Sequence, residues 1–113
     1  MAEDSDVTHL LERLEIFEER LGVRLEAVFA QVGVGQDDNR RVWVSGELHA
    51  RNGTQLKQDI WIEVVLYDSK GRVANVDRCL FLAEKFFGFE TFMISVVLSV
   101  EPMSKIRLFP KPY

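Results

Sequence analysis

The stretch DIWIEVVLYDSKGRV, residues 59–73, decides the fold that we expect for this chain. Side chains alternate between the two sides of an extended strand. One side carries only branched aliphatic residues, namely Ile60, Ile62, Val64 and Leu66. Asp68 to Gly71 then supplies a carboxylate that can accept backbone hydrogen bonds and a glycine that can take a positive φ. The stretch therefore predicts a buried strand, a tight turn and a return strand that begins near Val73.

Similar segments recur on both sides of this stretch, about one every ten residues. The other strand candidates are residues 25–32, 41–50, 72–82 and 91–100 and a short strand with Ile106 and Leu108. Asn52-Gly53 is a strong hairpin signal, and Pro110 and Pro112 are expected to prevent pairing after the last strand. Six to seven short strands without intervening helices are typical of an antiparallel sandwich. We predict an all-β, immunoglobulin-like antiparallel β-sandwich over residues 23–113.

The N-terminal residues follow a helical period instead. Apolar residues recur at spacings of three and four: Val7, Leu10, Leu14, Phe17 and Leu21. Gly22 supplies a C-terminal stop. Like-charged glutamates crowd the opposite face, so the helix should be marginal unless it packs on another surface. We predict one amphipathic helix within residues 1–22, preceding the sandwich.

The central stretch also carries a family resemblance. Val64-Val65-Leu66-Tyr67-Asp68, followed by Lys70-Gly71-Arg72-Val73, resembles the signature of bacterial FxLYD-type domains. The resemblance covers about residues 41–110. The chain departs from the family at Val64, where the signature has phenylalanine, and at residues 84–88, where the family has a Pro-Gly turn. The resemblance implies an immunoglobulin-like sandwich without catalytic residues.

Composition narrows the function classes. The net charge is −4, and residues 1–21 hold seven acidic and two basic residues. This balance argues against a nucleic-acid partner, which favours a basic surface. The chain has no apolar run long enough to span a bilayer, and its first residues, MAEDSD, are acidic where a signal peptide is basic. We therefore expect a cytoplasmic protein without a membrane span. The single Cys79 agrees with a reducing compartment and is expected to be a small core residue.

The residues that usually carry catalysis or bind metals are sparse. His9 and His49 are the only histidines, and no hydrolase triad, phosphate loop or CxxC motif can be assembled around them. Glu47 and His49 lie two residues apart on one strand face. This spacing fits a pair on a solvated face, and it also fits a metal site if a third ligand is present. We favour the solvated pair. We predict no enzymatic activity, no cofactor, no metal and no small-molecule ligand.

Aromatic residues in the outward phase are the strongest functional signal. Trp43, Trp61 and Tyr67 alternate with the side chains expected in the core, so they should lie outside. We hypothesise that the apolar side of the helix covers them, within one chain or across a homodimer. Residues 83–89 add Phe86, Phe87 and Phe89, which either plug an open end of the sandwich, the interpretation we favour, or form an exposed patch. The candidate interaction residues are Leu10, Leu14, Phe17, Leu21, Trp43, Trp61, Tyr67, Phe86, Phe87 and Phe89.

The sequence thus predicts a non-catalytic protein-interaction or assembly module, most simply a homodimer to which the N-terminal helix contributes. The alternative is a carbohydrate- or peptide-binding sandwich that uses an exposed aromatic sheet face.

Overall fold

Eight strands and one α-helix make up the part of the chain that a computed structural model describes, residues 5–99 and 101–113. In chain order the elements are β1 (Ser5–Asp6), a 3₁₀ turn (Thr8–Leu10), β2 (Leu11–Arg13), α1 (Glu15–Leu21), β3 (Val23–Val34), β4 (Arg40–Ala50), β5 (Ile60–Asp68), β6 (Val73–Phe81), a second 3₁₀ turn (Ala83–Lys85), β7 (Phe89–Val97) and β8 (Met103–Pro112). Glu3 and Asp4 of the acidic N-terminal segment, and the last residue of the strand predicted at 91–100, lie outside the described residues.

The strands form two four-stranded sheets, which confirms the predicted β-sandwich. Sheet A has the order β1-β3-β4-β7, and sheet B has the order β2-β8-β5-β6. All neighbouring strands are antiparallel except β2, which runs parallel to β8. Among the described residues, no helix is both long and apolar enough to cross a membrane.

The core lies between the sheets, on the sides that the alternation predicts. The inward residues of β5, namely Ile60, Ile62, Val64 and Leu66, are all buried. They face buried residues of β4, including Val42, Val44 and Leu48. Burial of these branched side chains from both sheets is the main favourable contribution to folding.

The turn between β5 and β6 forms as predicted. The Gly71 N–H donates to the Asp68 carbonyl at 3.0 Å, and Gly71 takes a φ of 78°. The Asp68 carboxylate accepts the N–H groups of Lys70 and Arg72, each at 2.9 Å. The backbone N–H of Arg72 is the main reason that the pKa of Asp68 lies below its usual value. The carboxylate therefore fixes the return of the chain in its ionised form.

The prediction of one helix over most of residues 1–22 is wrong. α1 has seven residues, and β1 and β2 precede it as short strands of sheet A and sheet B. The open edges of β3 and β8 offer backbone hydrogen-bond partners to this segment. Pairing with these edges is favoured over a continuous helix, which repulsion between glutamates would weaken. The predicted stop is confirmed, because Gly22 ends α1 with a φ of 70°. Residues 5–22 are thus not a separate helical unit.

Asn52-Gly53 does not join a hairpin. β4 belongs to sheet A and β5 belongs to sheet B, so residues 51–59 form a connection that crosses between the layers. Gly53 takes a φ of 78° in this loop. The dipeptide makes a turn, but the strands on either side of it pair elsewhere.

The last strand is longer than predicted, because β8 continues through Pro110 and Pro112, paired with β5. The pairing of β2 with β8 stops where Arg13 lies beside Leu108. Beyond that point one edge of β8 has no strand partner within residues 5–99 and 101–113, and a proline without an N–H is tolerated on such an edge.

A bulge in β3 stores backbone strain at Ala27, which takes a φ of 55° between the paired residues Glu26 and Phe29. This left-handed conformation costs an alanine about 1–2 kcal/mol. We expect Ala27→Gly to raise the free energy of unfolding by roughly 0.5–1 kcal/mol in urea denaturation, since glycine removes that strain. The matched variant Ala74→Gly, in β6, should lower it. Destabilisation by Ala27→Gly would contradict the bulge geometry.

Candidate functional site

The aromatic residues predicted to lie outside are divided between two surfaces. Trp43 is on the outer side of β4 in sheet A, whereas Trp61 and Tyr67 are on the outer side of β5 in sheet B. All three are partly exposed. The single aromatic sheet face that the sequence suggested is therefore wrong, because strands that follow one another along the chain lie in opposite layers.

The helix does not cover both tryptophans. α1 packs against β8 and β3, and the ring of Phe17 meets the ring of Phe109 edge-on, with the centroids 6.0 Å apart. Leu21 is half-buried against the core, while Phe17 is 36% exposed. Because α1 lies beside β8, it can border the outer face of sheet B, and the hypothesis that it covers Trp43 as well within the same chain is wrong.

A groove of about 440 Å³ lies between α1 and the end of β8. Its walls are mainly apolar, and they include Phe17, Leu21, Phe109 and Pro110. Arg20 and Lys111 also line it, together with Glu63 and Pro112. The groove therefore combines an apolar interior with two cationic side chains and one carboxylate.

Cationic side chains cover the aromatic rings of sheet B. The Arg78 guanidinium lies 4.1 Å from the centroid of the Trp61 ring. Lys105 and Arg107 lie 4.9 Å and 5.1 Å from the centroid of the Tyr67 ring. We call the outward side chains Trp61, Tyr67, Arg78, Lys105, Arg107, Phe109 and Lys111 the cationic face.

Two carboxylates partly compensate this charge. Glu12 accepts a hydrogen bond from Arg107 Nε at 2.7 Å, and this bond is the main reason that the pKa of Arg107 lies above its usual value. Glu63 lies 3.9 Å from Lys111 Nζ, at the limit of an ion pair. Within the part of the chain that the structure describes, Arg78 and Lys105 have no carboxylate in ion-pair range.

The outer side of sheet A is more apolar. Phe29, Phe89 and Met93 are 43%, 51% and 70% exposed. The Phe89 ring stacks on His49 at 4.9 Å, and His49 Nε2 lies 2.9 Å from the Glu47 carboxylate. Glu47 and His49 are therefore partners of each other and of Phe89. This surface has no apolar cover among the described residues, and such patches commonly mark interaction sites.

The β7 edge of sheet A is open. Among the described residues, β7 pairs only with β4. At the two ends of this pairing, the Leu98 N–H donates to the Arg40 carbonyl at 2.9 Å and the Ala50 N–H donates to the Gly88 carbonyl at 3.2 Å. Hydrogen-bonded pairs alternate along an antiparallel ladder, so the even-numbered residues of β7 bond to β4.

The odd-numbered residues of β7 consequently direct their backbone groups away from β4. Asn75 Nδ2 donates to the Val97 carbonyl at 3.0 Å and so covers one end of this edge. Thr91, Met93 and Ser95 form the remaining open part. The sequence predicted a strand here, but an open edge depends on pairing that the sequence does not reveal.

The phenylalanines of the connection before β7 are separated. Phe86 is only 4% exposed and belongs to the core, as expected of a plug. Phe87 is 78% exposed, and Phe89 lies on the outer side of β7. The structure thus places one ring inside and two outside.

The remaining N-terminal candidates are both half-buried. Leu10, on the first 3₁₀ turn, packs against it, and Leu14 precedes α1 and is half-buried. Neither is brought together with the tryptophans in the predicted way.

A partly buried ion pair escaped the sequence analysis. Glu18 has no exposed surface, and its carboxylate accepts Arg13 Nη2 at 2.8 Å, Arg13 Nε at 3.2 Å and the Leu25 N–H at 3.0 Å. The hydrogen bonding that Arg13 donates to Glu18 is the main reason that the pKa of Arg13 lies above its usual value. A continuous helix places residues 13 and 18 on different faces, and the only warning in the sequence was the crowding of like charges around Glu18.

Groups with reactive chemistry lie apart. Burial raises the pKa of the Cys79 thiol to about 11, so this thiol is protonated near neutral pH. His9 lies on the first 3₁₀ turn and His49 lies on β4. Within the described ranges, no three His, Cys, Asp or Glu side chains are placed to hold a metal ion.

No known family model, curated protein or solved structure matches the chain. The resemblance to FxLYD-type domains therefore stays a prediction. The open β7 edge of sheet A and the cationic face of sheet B are the basis on which a function is proposed.

Proposed function

We propose that the chain is a non-catalytic assembly module of the cytoplasm, which forms a two-fold homodimer when β7 pairs with β7 of a second copy. The open backbone edge at Thr91, Met93 and Ser95 carries this proposal. Exposed edges are natural templates for pairing with another chain. In this proposal the N-terminal helix contributes to packing within the chain and not to the dimer contact.

A two-fold axis through Met93 brings the open groups together. In an antiparallel pair centred there, Met93 faces Met93 of the partner subunit, and Thr91 faces Ser95 of the partner subunit. Each of these pairs exchanges both backbone hydrogen bonds, because odd-numbered residues direct theirs outward. The pairing extends sheet A into a continuous sheet across both copies.

The side chains of β7 are compatible with this register. Glu90 is the only charged residue of the strand, and it faces Val96 of the partner subunit, so no like charges oppose each other. The exposed Met93 side chains become covered, and Phe89 lies opposite Val97 of the partner subunit. Natural edges that avoid pairing usually carry lysine, proline or bulges, and the middle of β7 has none of these.

We also propose that this sandwich is immunoglobulin-like and related to FxLYD-type domains. The order β3-β4-β7 in one sheet and β6-β5-β8 in the other resembles the immunoglobulin arrangement, in which strands A, B and E lie in one layer and C and F lie in the other. The short β2 occupies the place beside β8.

The mass of the full-length chain in solution tests the dimer. Light scattering coupled to size exclusion should give twice the mass of one chain, and Met93→Lys should reduce it to one, because the two ammonium groups would face each other. Thr91→Pro should act likewise, since it removes an outward N–H without breaking the ladder with β4. The matched control is Val76→Lys, an exposed residue of the β6 edge, which should leave the dimer intact. A monomeric parent chain, or a Met93→Lys variant that remains dimeric, would reject the proposal.

A further inference from the structure

We infer that the cationic face of sheet B binds an extended acidic peptide and that one large apolar side chain of this peptide enters the groove beside α1. This site lies on the opposite layer from the β7 edge. It therefore does not depend on dimer formation.

Charge is the first argument for an acidic ligand. The cationic face carries four basic side chains, Arg78, Lys105, Arg107 and Lys111, whereas the carboxylates that reach them come from Glu12 and Glu63. The chain as a whole has a net charge of −4, so the positive excess is a local feature of this surface. Such a surface attracts negatively charged partners and repels the basic surfaces of other molecules.

Spacing is the second argument, and it favours an extended ligand. Lys105, Arg107 and Lys111 occupy alternate outward positions of β8, with Phe109 among them. Alternate residues of a strand lie about 7 Å apart, so the row spans about 20 Å. A peptide in the same extended conformation presents every second side chain at the same interval, which allows successive carboxylates to meet successive cations.

The groove supplies the apolar part of the site. Phe17, Leu21, Phe109 and Pro110 line it, and its volume of about 440 Å³ lies within the range of ligand pockets. Arg20 and Lys111, which also line the groove, can hold acidic residues on either side of the apolar side chain. Apolar anchors in a pocket give most of the binding energy at such sites, and the charges give specificity.

The same contacts argue against a carbohydrate. Sugars stack on open aromatic faces, but Arg78 already lies over the Trp61 ring at 4.1 Å, and the ring of Tyr113 lies 5.6 Å from it. The cationic groups of Lys105 and Arg107 similarly lie over the Tyr67 ring. The rings hold the cations in place by cation–π attraction, so they position charge and do not offer a stacking surface.

A synthetic probe tests the site. The probe is a fluorescein-labelled peptide in which glutamates alternate with glycines on both sides of one phenylalanine, and its binding to the full chain is measured by fluorescence anisotropy. We expect binding that weakens with added salt. One control peptide has serine in place of phenylalanine, and the other has glutamine in place of every glutamate. Each control should bind at least about tenfold more weakly.

Variants then locate the site. Lys111→Glu and Arg78→Glu should each weaken probe binding about tenfold or more, whereas Lys70→Glu, in the exposed turn between β5 and β6, should not change it. Phe109→Ser should remove the preference for phenylalanine over serine in the probe. If Phe109→Ser does not fold, judged by circular dichroism, Arg20→Glu serves as the test at the groove.

Three results would overturn the inference. The first is a parent chain that does not bind the probe, and the second is equal binding of the glutamate and glutamine peptides. The third is binding that Lys111→Glu and Arg78→Glu leave unchanged. Heparin is tested in parallel, and binding of heparin without binding of the peptide would assign the face to sulfated polysaccharides and reject a peptide ligand.

Discussion

Replacement of Glu18 by alanine is expected to lower the free energy of unfolding by about 2–4 kcal/mol, because its fully buried carboxylate accepts bonds from a half-buried guanidinium and from a backbone N–H. Glu18 is fully buried, and it binds both the Arg13 guanidinium and the Leu25 N–H. Without the carboxylate, Arg13 keeps a partly buried charge without its partner, and the Leu25 N–H loses its acceptor. Both groups then bear the cost of desolvation without compensation.

Urea denaturation followed by circular dichroism measures this loss. Glu18→Gln retains an acceptor for the Leu25 N–H but loses the charge, so we expect a smaller loss of about 1–3 kcal/mol. Glu19→Ala is the matched control, because Glu19 is the next residue of α1 and is exposed, and it should change stability by less than about 0.5 kcal/mol. Equal effects of Glu18→Ala and Glu19→Ala would show that the ion pair contributes nothing.

The position of Glu18 explains why its loss should affect the whole domain. Arg13 ends β2 in sheet B, and Leu25 lies near the start of β3 in sheet A, so one carboxylate on α1 joins both layers. The N-terminal segment reaches sheet A a second time, because the Val7 N–H donates to the Ala30 carbonyl at 2.9 Å. The segment is therefore part of the sandwich.

The central strands were predictable because their alternation is one-sided. Ile62, Val64 and Leu66 have no polar residue among them on the inward side, and a shift by one residue would bury Glu63 in their place. The turn at Asp68 was equally clear, since its side chain and Gly71 leave the chain few other conformations.

The N-terminal segment was not predictable from its period. Leu10 and Leu11 fit the apolar stripe of a helix, but a 3₁₀ turn followed by a short strand also brings both to the core. Short apolar patterns leave helix and strand ambiguous, and here the free edges of β3 and β8 decide the outcome. These edges exist only once the rest of the sandwich has formed.

The candidate surfaces were only half predictable. The outward direction of Trp43 and Trp61 follows from the alternation, but the layer in which each lies depends on the connection at residues 51–59. The open edge at Met93 depends likewise on pairing between strands that are distant in sequence. Local patterns determine the side of a strand on which a residue lies, whereas surfaces are assembled by long-range pairing.

Leu108 and Phe109 are adjacent residues of β8 that allow the contribution of the core and that of the outer side to be tested separately. Leu108 has no exposed surface and lies in β8 between Val64 of β5 and Arg13 of β2. We expect Leu108→Ala to lower the free energy of unfolding by about 2–5 kcal/mol, because it leaves a cavity in the core. Phe109 is on the outer side, partly exposed beside Phe17, so Phe109→Ala should cost only about 1 kcal/mol.

The two variants should rank in the opposite order for their effect on peptide binding, with the larger loss for Phe109→Ala. Leu108→Ala removes no side chain of the cationic face, because Leu108 points into the core. The folded fraction of this variant should therefore bind the acidic probe as the parent chain does. Phe109→Ala should remain folded and lose the preference for a phenylalanine anchor, because it removes a wall of the groove. If Phe109→Ala unfolds as readily as Leu108→Ala, the outer side of β8 belongs to the core, and its aromatic residue stabilises the fold and is not available to a ligand.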